Sequence, residues 1–136
     1  MDFKEWNKAV IAEFRANGGE VGGDIAHLDV LLLHTTGAKS GAERINPLAY
    51  LKEGDTHYVF ASMGGAPRDP DWYHNVLANP AVGVEVGTER FDATASEVTG
   101  AERDRIYAQV AAKWPQFADY EKATDRVIPV VALTRA

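Results

Sequence analysis

Short strand-like runs, each closed off by turn chemistry, constrain this chain more than any other feature. They fall at residues 28–35, 45–52, 57–62, 82–86, 89–97 and 128–134. Each is rich in β-branched, aromatic or leucine side chains and is bounded by Gly, Asp, Asn or Pro. Glu53-Gly54-Asp55 and Gly87-Thr88 join neighbouring runs with hairpin chemistry. Strands this short cannot bury a face alone. Five or six of them interrupted by helices fold into a small, mostly antiparallel barrel with helices packed on it. The expected class is α+β, mainly β.

The helices announce themselves by spacing and caps. Asp2 can cap a helix whose apolar positions Phe3, Trp6, Val10, Ile11 and Phe14 recur at three- and four-residue intervals, ending at Asn17-Gly18-Gly19. Residues 1–17 are thus an N-terminal helix and 18–27 a glycine-rich linker, with 18–23 a plain connection or a mobile flap. Asp69-Pro70-Asp71 starts a helix that runs to Ala78, Asp69 accepting the free amides, and Asn79-Pro80 stops it. Thr99 caps a helix over residues 101–113, Pro115 breaks it, and a short helix follows at 117–122.

Composition narrows the function. A length of 136 residues fits one domain, 1–136, and 14 Lys plus Arg against 20 Asp plus Glu leave a net charge of −6, which repels nucleic acid. With no cysteine, the chain forms no disulfide, thiolate nucleophile or sulfur-bound metal site. His27, His34, His57 and His74 never fall at i, i+4, so no metal is expected. No apolar run approaches the ~18–20 residues of a membrane span. The first residues lack the basic cap and apolar core of a leader, which makes a cytoplasmic protein the expectation.

Two loops carry candidate chemistry. Between the first two strand runs, Thr35-Thr36-Gly37-Ala38-Lys39-Ser40-Gly41-Ala42-Glu43-Arg44 combines glycines, hydroxyls and two cations. Glycines let amides approach an anion, hydroxyls donate to it, and Lys39 and Arg44 supply charge. A solvated hairpin loop is the alternative. It is no nucleotide P-loop, because the upstream glycine is missing and a strand follows. The second loop, Ser62-Met63-Gly64-Gly65-Ala66-Pro67, precedes the capped helix, so its amides and the helix N-terminus face one space. Ser62 does not sit in a G-x-S-x-G elbow, which argues against a serine hydrolase. Trp72, Tyr73, Trp114, Phe117 and Tyr120 load short helices with aromatics. Trp114, Phe117 and Tyr120 flank a proline three residues apart, so some of them are expected to line a cavity.

Taken in order, several motifs resemble one family. Leu31-Leu32-Leu33-His34-Thr35-Thr36-Gly37-Ala38-Lys39-Ser40-Gly41, Arg44-Ile45-Asn46-Pro47-Leu48, Ala61-Ser62-Met63-Gly64-Gly65, Pro70-Asp71-Trp72-Tyr73-His74-Asn75, Ala78-Asn79-Pro80 and Thr124-Asp125-Arg126-Val127-Ile128-Pro129 with Tyr120 look like the deazaflavin-dependent nitroreductases, over about residues 28–133. The resemblance implies a split β-barrel, related to FMN-binding barrels, that binds coenzyme F420. Its reduced form, F420H2, would pass a hydride to a small activated acceptor such as an enone, quinone or nitroarene. By the same resemblance Lys39, Ser40 and Arg44 meet the cofactor's tail phosphate. Ile45, Asn46, Pro47, Leu48, Ala49, Phe60, Ala61, Ser62, Met63, Asp71, Trp72, Tyr73, His74 and Asn75 wrap its ring and ribityl chain. Trp72, Trp114, Phe117 and Tyr120 face the substrate, with Tyr120 as proton donor and Ser62 meeting the developing oxyanion.

The chain departs from that pattern at Met63 and Ala38, where relatives often carry basic residues, and each lost charge-assisted contact costs about 1.5–3 kcal/mol. Trp114 and Phe117 stand where relatives can carry tyrosines, a more apolar pocket that argues against nitroimidazole turnover. An FMN oxidoreductase on the same barrel and a non-catalytic ligand carrier are the alternatives. The partner is a small-molecule acceptor, with no nucleic acid and no integral membrane segment. Peripheral membrane contact, and monomer against homodimer, stay open.

Overall fold

The computed structural model describes residues 3–136, so the expected cap at Asp2 and the Phe3 side chain of the expected stripe lie outside what is described. Six strands, β1 (Val30–Thr36), β2 (Glu43–Glu53), β3 (Thr56–Phe60), β4 (Ala81–Val86), β5 (Glu89–Val98) and β6 (Val130–Arg135), form a closed barrel in the order β1-β2-β3-β6-β5-β4. Every pairing is antiparallel, and β4 closes the ring on β1.

Alternation decides what each strand faces. Leu31 and Leu33 of β1 lie inside the barrel with Val59, Val84, Val131 and Leu133. Val30 and Leu32 point outward, against Phe14 of α1 (Phe3–Ala16). Both faces of β1 are therefore covered, which is why it reads as an unbroken apolar run. Helix α2 (Asp71–Ala78) packs Trp72, Tyr73 and Val76 onto the interior cluster. Helices α3 (Gly100–Lys113) and α4 (Gln116–Ala123) cover the outer face of β3 and β6 through Ile106, Tyr107, Val110 and Phe117.

Several expected boundaries move, for physical reasons. β3 stops at Phe60 rather than Ser62, and β6 starts at Val130 rather than Ile128. The Phe60–Val130 pair is followed by Pro129, which accepts the Ala61 N–H but has none to give back. Asp69 does not cap α2; Pro70 occupies the cap position and the Asp69 carboxylate pairs with Arg126 at 2.8 Å. Thr99 holds the cap position of α3 without a side-chain cap bond. The glycine-rich stretch is tied down at its start: the Gly19 N–H closes α1 on the Phe14 carbonyl, and its backbone lies against Gly87. Beyond it, Gly23–Ile25 forms a 3-10 turn.

One gap in this barrel matters for function. β2 pairs with β1 over residues 43–49 but with β3 only over residues 50–53. One edge of residues 43–49 therefore has no strand beside it. Ile45, Asn46, Pro47, Leu48 and Ala49 are all half-buried, with none of the in-and-out alternation of a strand covered on one face. Pro47 is tolerated there because an edge position does not demand a second ladder bond.

Candidate active-site cleft

Two turns flank the open edge of β2. The first joins β1 to β2 and satisfies most of its own backbone: the Gly37 N–H donates to the Ala42 carbonyl at 2.8 Å and the Gly41 N–H to the Gly37 carbonyl at 2.9 Å. Ser40 Oγ accepts the Ala42 N–H at 3.2 Å, leaving its own proton free. A Cβ on Gly37 would lie 2.6 Å from that oxygen, so a side chain there would displace the Ser40 hydroxyl. Asn75 of α2 latches the turn, its Oδ1 accepting the Ala38 N–H at 3.0 Å while its Nδ2 donates to Thr35 Oγ1 at 3.2 Å. The glycine amides expected to approach an anion, those of Gly37 and Gly41, are thus already used, as are those of Ala38 and Ala42. What the turn offers instead is side chains: Lys39, Ser40 and Arg44 are exposed, and among the described residues no carboxylate pairs with Lys39 or Arg44.

The second turn follows β3 and is strained. Met63 (φ 46°) is the one non-glycine residue with positive φ among the described residues, and Gly64 (φ 64°) and Gly65 (φ 85°) continue the left-handed path. Such a conformation costs about 1–3 kcal/mol and persists only where its surroundings hold it. Arg126 does the holding. Its Nε donates to the Ala66 carbonyl and its Nη2 to the Ser62 carbonyl, both at 2.9 Å, while Nη1 pairs with Asp69. On the other side the turn presses against α4, where a Cβ on Gly65 would lie 2.9 Å from Ala123 Cβ and 3.2 Å from the Tyr120 carbonyl oxygen. Ser62 is buried with no described partner for its hydroxyl, and Met63 is 38% exposed.

The aromatic residues divide. Trp72 joins the barrel interior, while Trp114 and Phe117 belong to the cluster under α3 and α4, and all three rings are buried. Phe117 stacks edge-on against Phe60 and Tyr120, at 5.5 and 5.3 Å between centroids. Tyr120 is half-buried, and its hydroxyl accepts the Gln116 amide N–H at 2.8 Å. Tyr73 points elsewhere: it donates to Glu97 at 2.8 Å, and burial, then that carboxylate, push its phenol up to about 12. Asp71 and His74 are exposed on α2. Phe60 and Ala61 are buried at the end of β3, which lies at the same end of the barrel as the first turn.

Two concavities lie away from these groups. One of about 530 Å³ sits at the other end of the barrel, beneath Gly18, Gly19 and Val21 and beside Tyr50 and Val86. The other, of about 420 Å³, lies between Tyr73, Glu97 and Arg103. Neither contains Lys39, Arg44, Ser62 or Tyr120. Beside β2 lies instead an unpaired strand edge, next to cations without a carboxylate partner, and such features are stronger grounds for binding than volume alone. Among the described residues no group of three or more His, Asp or Glu side chains could hold a metal, and no helix is long and apolar enough to cross a membrane.

Sequence reasoning missed Arg126 as the clip of the second turn, Gln116 as the partner of Tyr120, and His27 beyond it. Arg126 stands in a quoted motif, but its partners lie about sixty residues upstream. Gln116 had one legible signal, its i, i+4 spacing to Tyr120 on one helix face.

The chain is similar to known proteins over most of its length. A family model described as F420H(2)-dependent quinone reductase matches residues 6–135. An F420H(2)-dependent quinone reductase of Mycobacterium tuberculosis strain H37Rv is 41% identical over 133 residues, covering 91% of this chain and 86% of that protein. A solved F420-H2 dependent reductase is 42% identical with a TM-score of 0.71, covering 76% of this chain and 92% of the other. Another solved structure, described as a domain-swapped dimer, is 37% identical with a TM-score of 0.72, covering 96% and 95%.

Proposed function

This chain belongs to the F420H(2)-dependent quinone reductase family, and from that premise we propose that the groove beside residues 43–49 holds F420H2 while Ser62 and Tyr120 act on a quinone. It is an F420H2-dependent oxidoreductase, with the split-barrel fold that more distant solved structures share. The observation that carries the site is the strand edge left bare between an unpaired cationic turn and a strained, clipped one.

The residues present suit the cofactor. Lys39, Arg44 and the free Ser40 proton would hold its acidic tail, a charge-assisted contact that an exposed cation without a carboxylate partner is ready to make. The half-buried segment from Ile45 to Ala49 would take the flat ring, since apolar groups there gain from being covered. When bound, the reduced deazaflavin supplies a hydride, so the protein needs no nucleophile and no metal of its own.

Everything else falls to the chain. Hydride and one proton turn a quinone into a hydroquinone, and the proton is held at Tyr120 Oη. The Ser62 hydroxyl, unclaimed by the protein, donates to the oxygen where negative charge develops, and the Arg126 clip fixes its position. Met63, 38% exposed, lines the approach with apolar surface and keeps water from the reacting oxygen.

The test is oxidation of F420H2 by a soluble naphthoquinone such as menadione in the presence of the protein. Turnover above the protein-free blank is expected. Tyr120→Phe should lower kcat by about 100-fold, as loss of a general acid does, and Ser62→Ala by roughly tenfold. Wild-type turnover no faster than the blank would remove the reading.

A further inference from the structure

We propose that Gln116 is a positioning residue that keeps the Tyr120 proton available for transfer, and that His27 sets which way the Gln116 amide faces. This rests on the reading of Tyr120 as proton donor. A tyrosine hydroxyl has a single proton to give. Tyr107 donates to the Phe117 carbonyl at 2.6 Å, and Tyr73 donates to Glu97. Both protons are committed to protein acceptors. Tyr120 differs: it accepts from Gln116 Nε2 at 2.8 Å, and no described residue takes its proton. Its lone pair is engaged and its O–H is free to turn toward the groove.

A glutamine amide could serve Tyr120 with either end. If Oε1 faced the phenol, the phenol would donate to it and the proton would be tied up. The far side decides the matter. His27 Nε2 lies 2.5 Å from Gln116 Oε1, and since an amide oxygen can only accept, the contact is a hydrogen bond in the His27 tautomer with its proton on Nε2; that tautomer holds Oε1 toward His27 and leaves Gln116 Nε2 for Tyr120. His27 is itself anchored, because its carbonyl accepts the Trp114 indole N–H at 3.1 Å. Gln116 and Tyr120 stand one turn apart on α4, so the helix fixes their separation. As Tyr120 releases its proton, the oxygen left behind already has an N–H aimed at it, at the point where charge appears.

The test uses the full chain with F420H2 and menadione, and reads kcat, menadione KM and F420 affinity separately. A second readout is the ring-carbon NMR signal of Tyr120 in cofactor-free protein with labelled tyrosine, identified by its loss in Tyr120→Phe. Gln116→Glu keeps the shape but replaces the donor by an acceptor that claims the phenol proton. It should lower kcat at least tenfold and shift the Tyr120 signal, with KM and F420 affinity within twofold of wild type. Gln116→Leu removes the donor without claiming the proton and should lower kcat by about threefold. His27→Ala should fall between wild type and Gln116→Leu, and His27→Gln, which keeps an N–H donor, should restore at least half of that loss. Wild-type kcat and an unmoved signal in both Gln116 variants, with Tyr120→Phe impaired, would overturn this inference and leave the site reading intact. Wild-type kcat in Tyr120→Phe would overturn both.

Discussion

The two turns beside the open edge of β2 solve the same problem in opposite ways. The turn over residues 37–42 is held by short local bonds plus one asparagine, and it leaves its charged side chains free. The turn at Ser62–Gly65 is held from a distance, by an arginine some sixty residues later in the chain, and its strain is in the backbone itself. The difference teaches where precision is needed. A cation gripping an acidic tail works over a range of positions, because Coulomb attraction falls off slowly. In the proposed site the Ser62 hydroxyl must come within hydrogen-bond reach of a developing oxyanion, a demand that suits a backbone fixed by a guanidinium and by a glycine that admits no side chain.

Substitutions can break or sharpen that contrast. Arg126→Met should have the largest effect, destabilising by about 3 kcal/mol, because it leaves Asp69 and two carbonyls without their donor. Urea unfolding reads this directly. Gly65→Ala should cost about 2 kcal/mol in the same assay, from a left-handed φ and a Cβ 2.9 Å from Ala123. Asn75→Ala should cost about 1 kcal/mol, since the first turn keeps its own backbone bonds when the latch is gone. A loss as large as that of Arg126→Met would erase the distinction between the turns. Lys39→Ala with Arg44→Ala should change stability by less than about 0.5 kcal/mol. The same pair should weaken F420 binding roughly tenfold at low salt, and by less as salt rises. Cofactor titration at two ionic strengths checks the last.

Much of this was legible in the chain because it is local. The apolar strand run of β1, the hairpins at Gly54 and Gly87, and the stop at Asn79-Pro80 each depend on neighbouring residues. So do the cations of the first turn, and the order of the motifs carried the family. What was not legible depends on closure. β6 inserts between β3 and β5, and only then does Pro129 meet the end of β3 and Arg126 reach Ser62. Asp69 looked like a helix cap because Asp before Pro usually is one, but the folded chain offers it a guanidinium instead. Trp114, Phe117 and Tyr120 flank a proline three residues apart, so they could not all point into a core from one regular helix. Pro115 instead ends α3 and begins α4, turning the chain so that the Trp114 and Phe117 rings enter one cluster.

In the proposed site the bare edge of β2, rather than the cavity of about 530 Å³ at the opposite end of the barrel, receives the cofactor. Backbone hydrogen exchange with and without F420 tests it most directly. The account expects slowed exchange at residues 39–49 and 62–65 and no change at residues 18–30. Protection confined to residues 18–30, around the 530 Å³ cavity, with residues 43–49 exchanging as before, would contradict it.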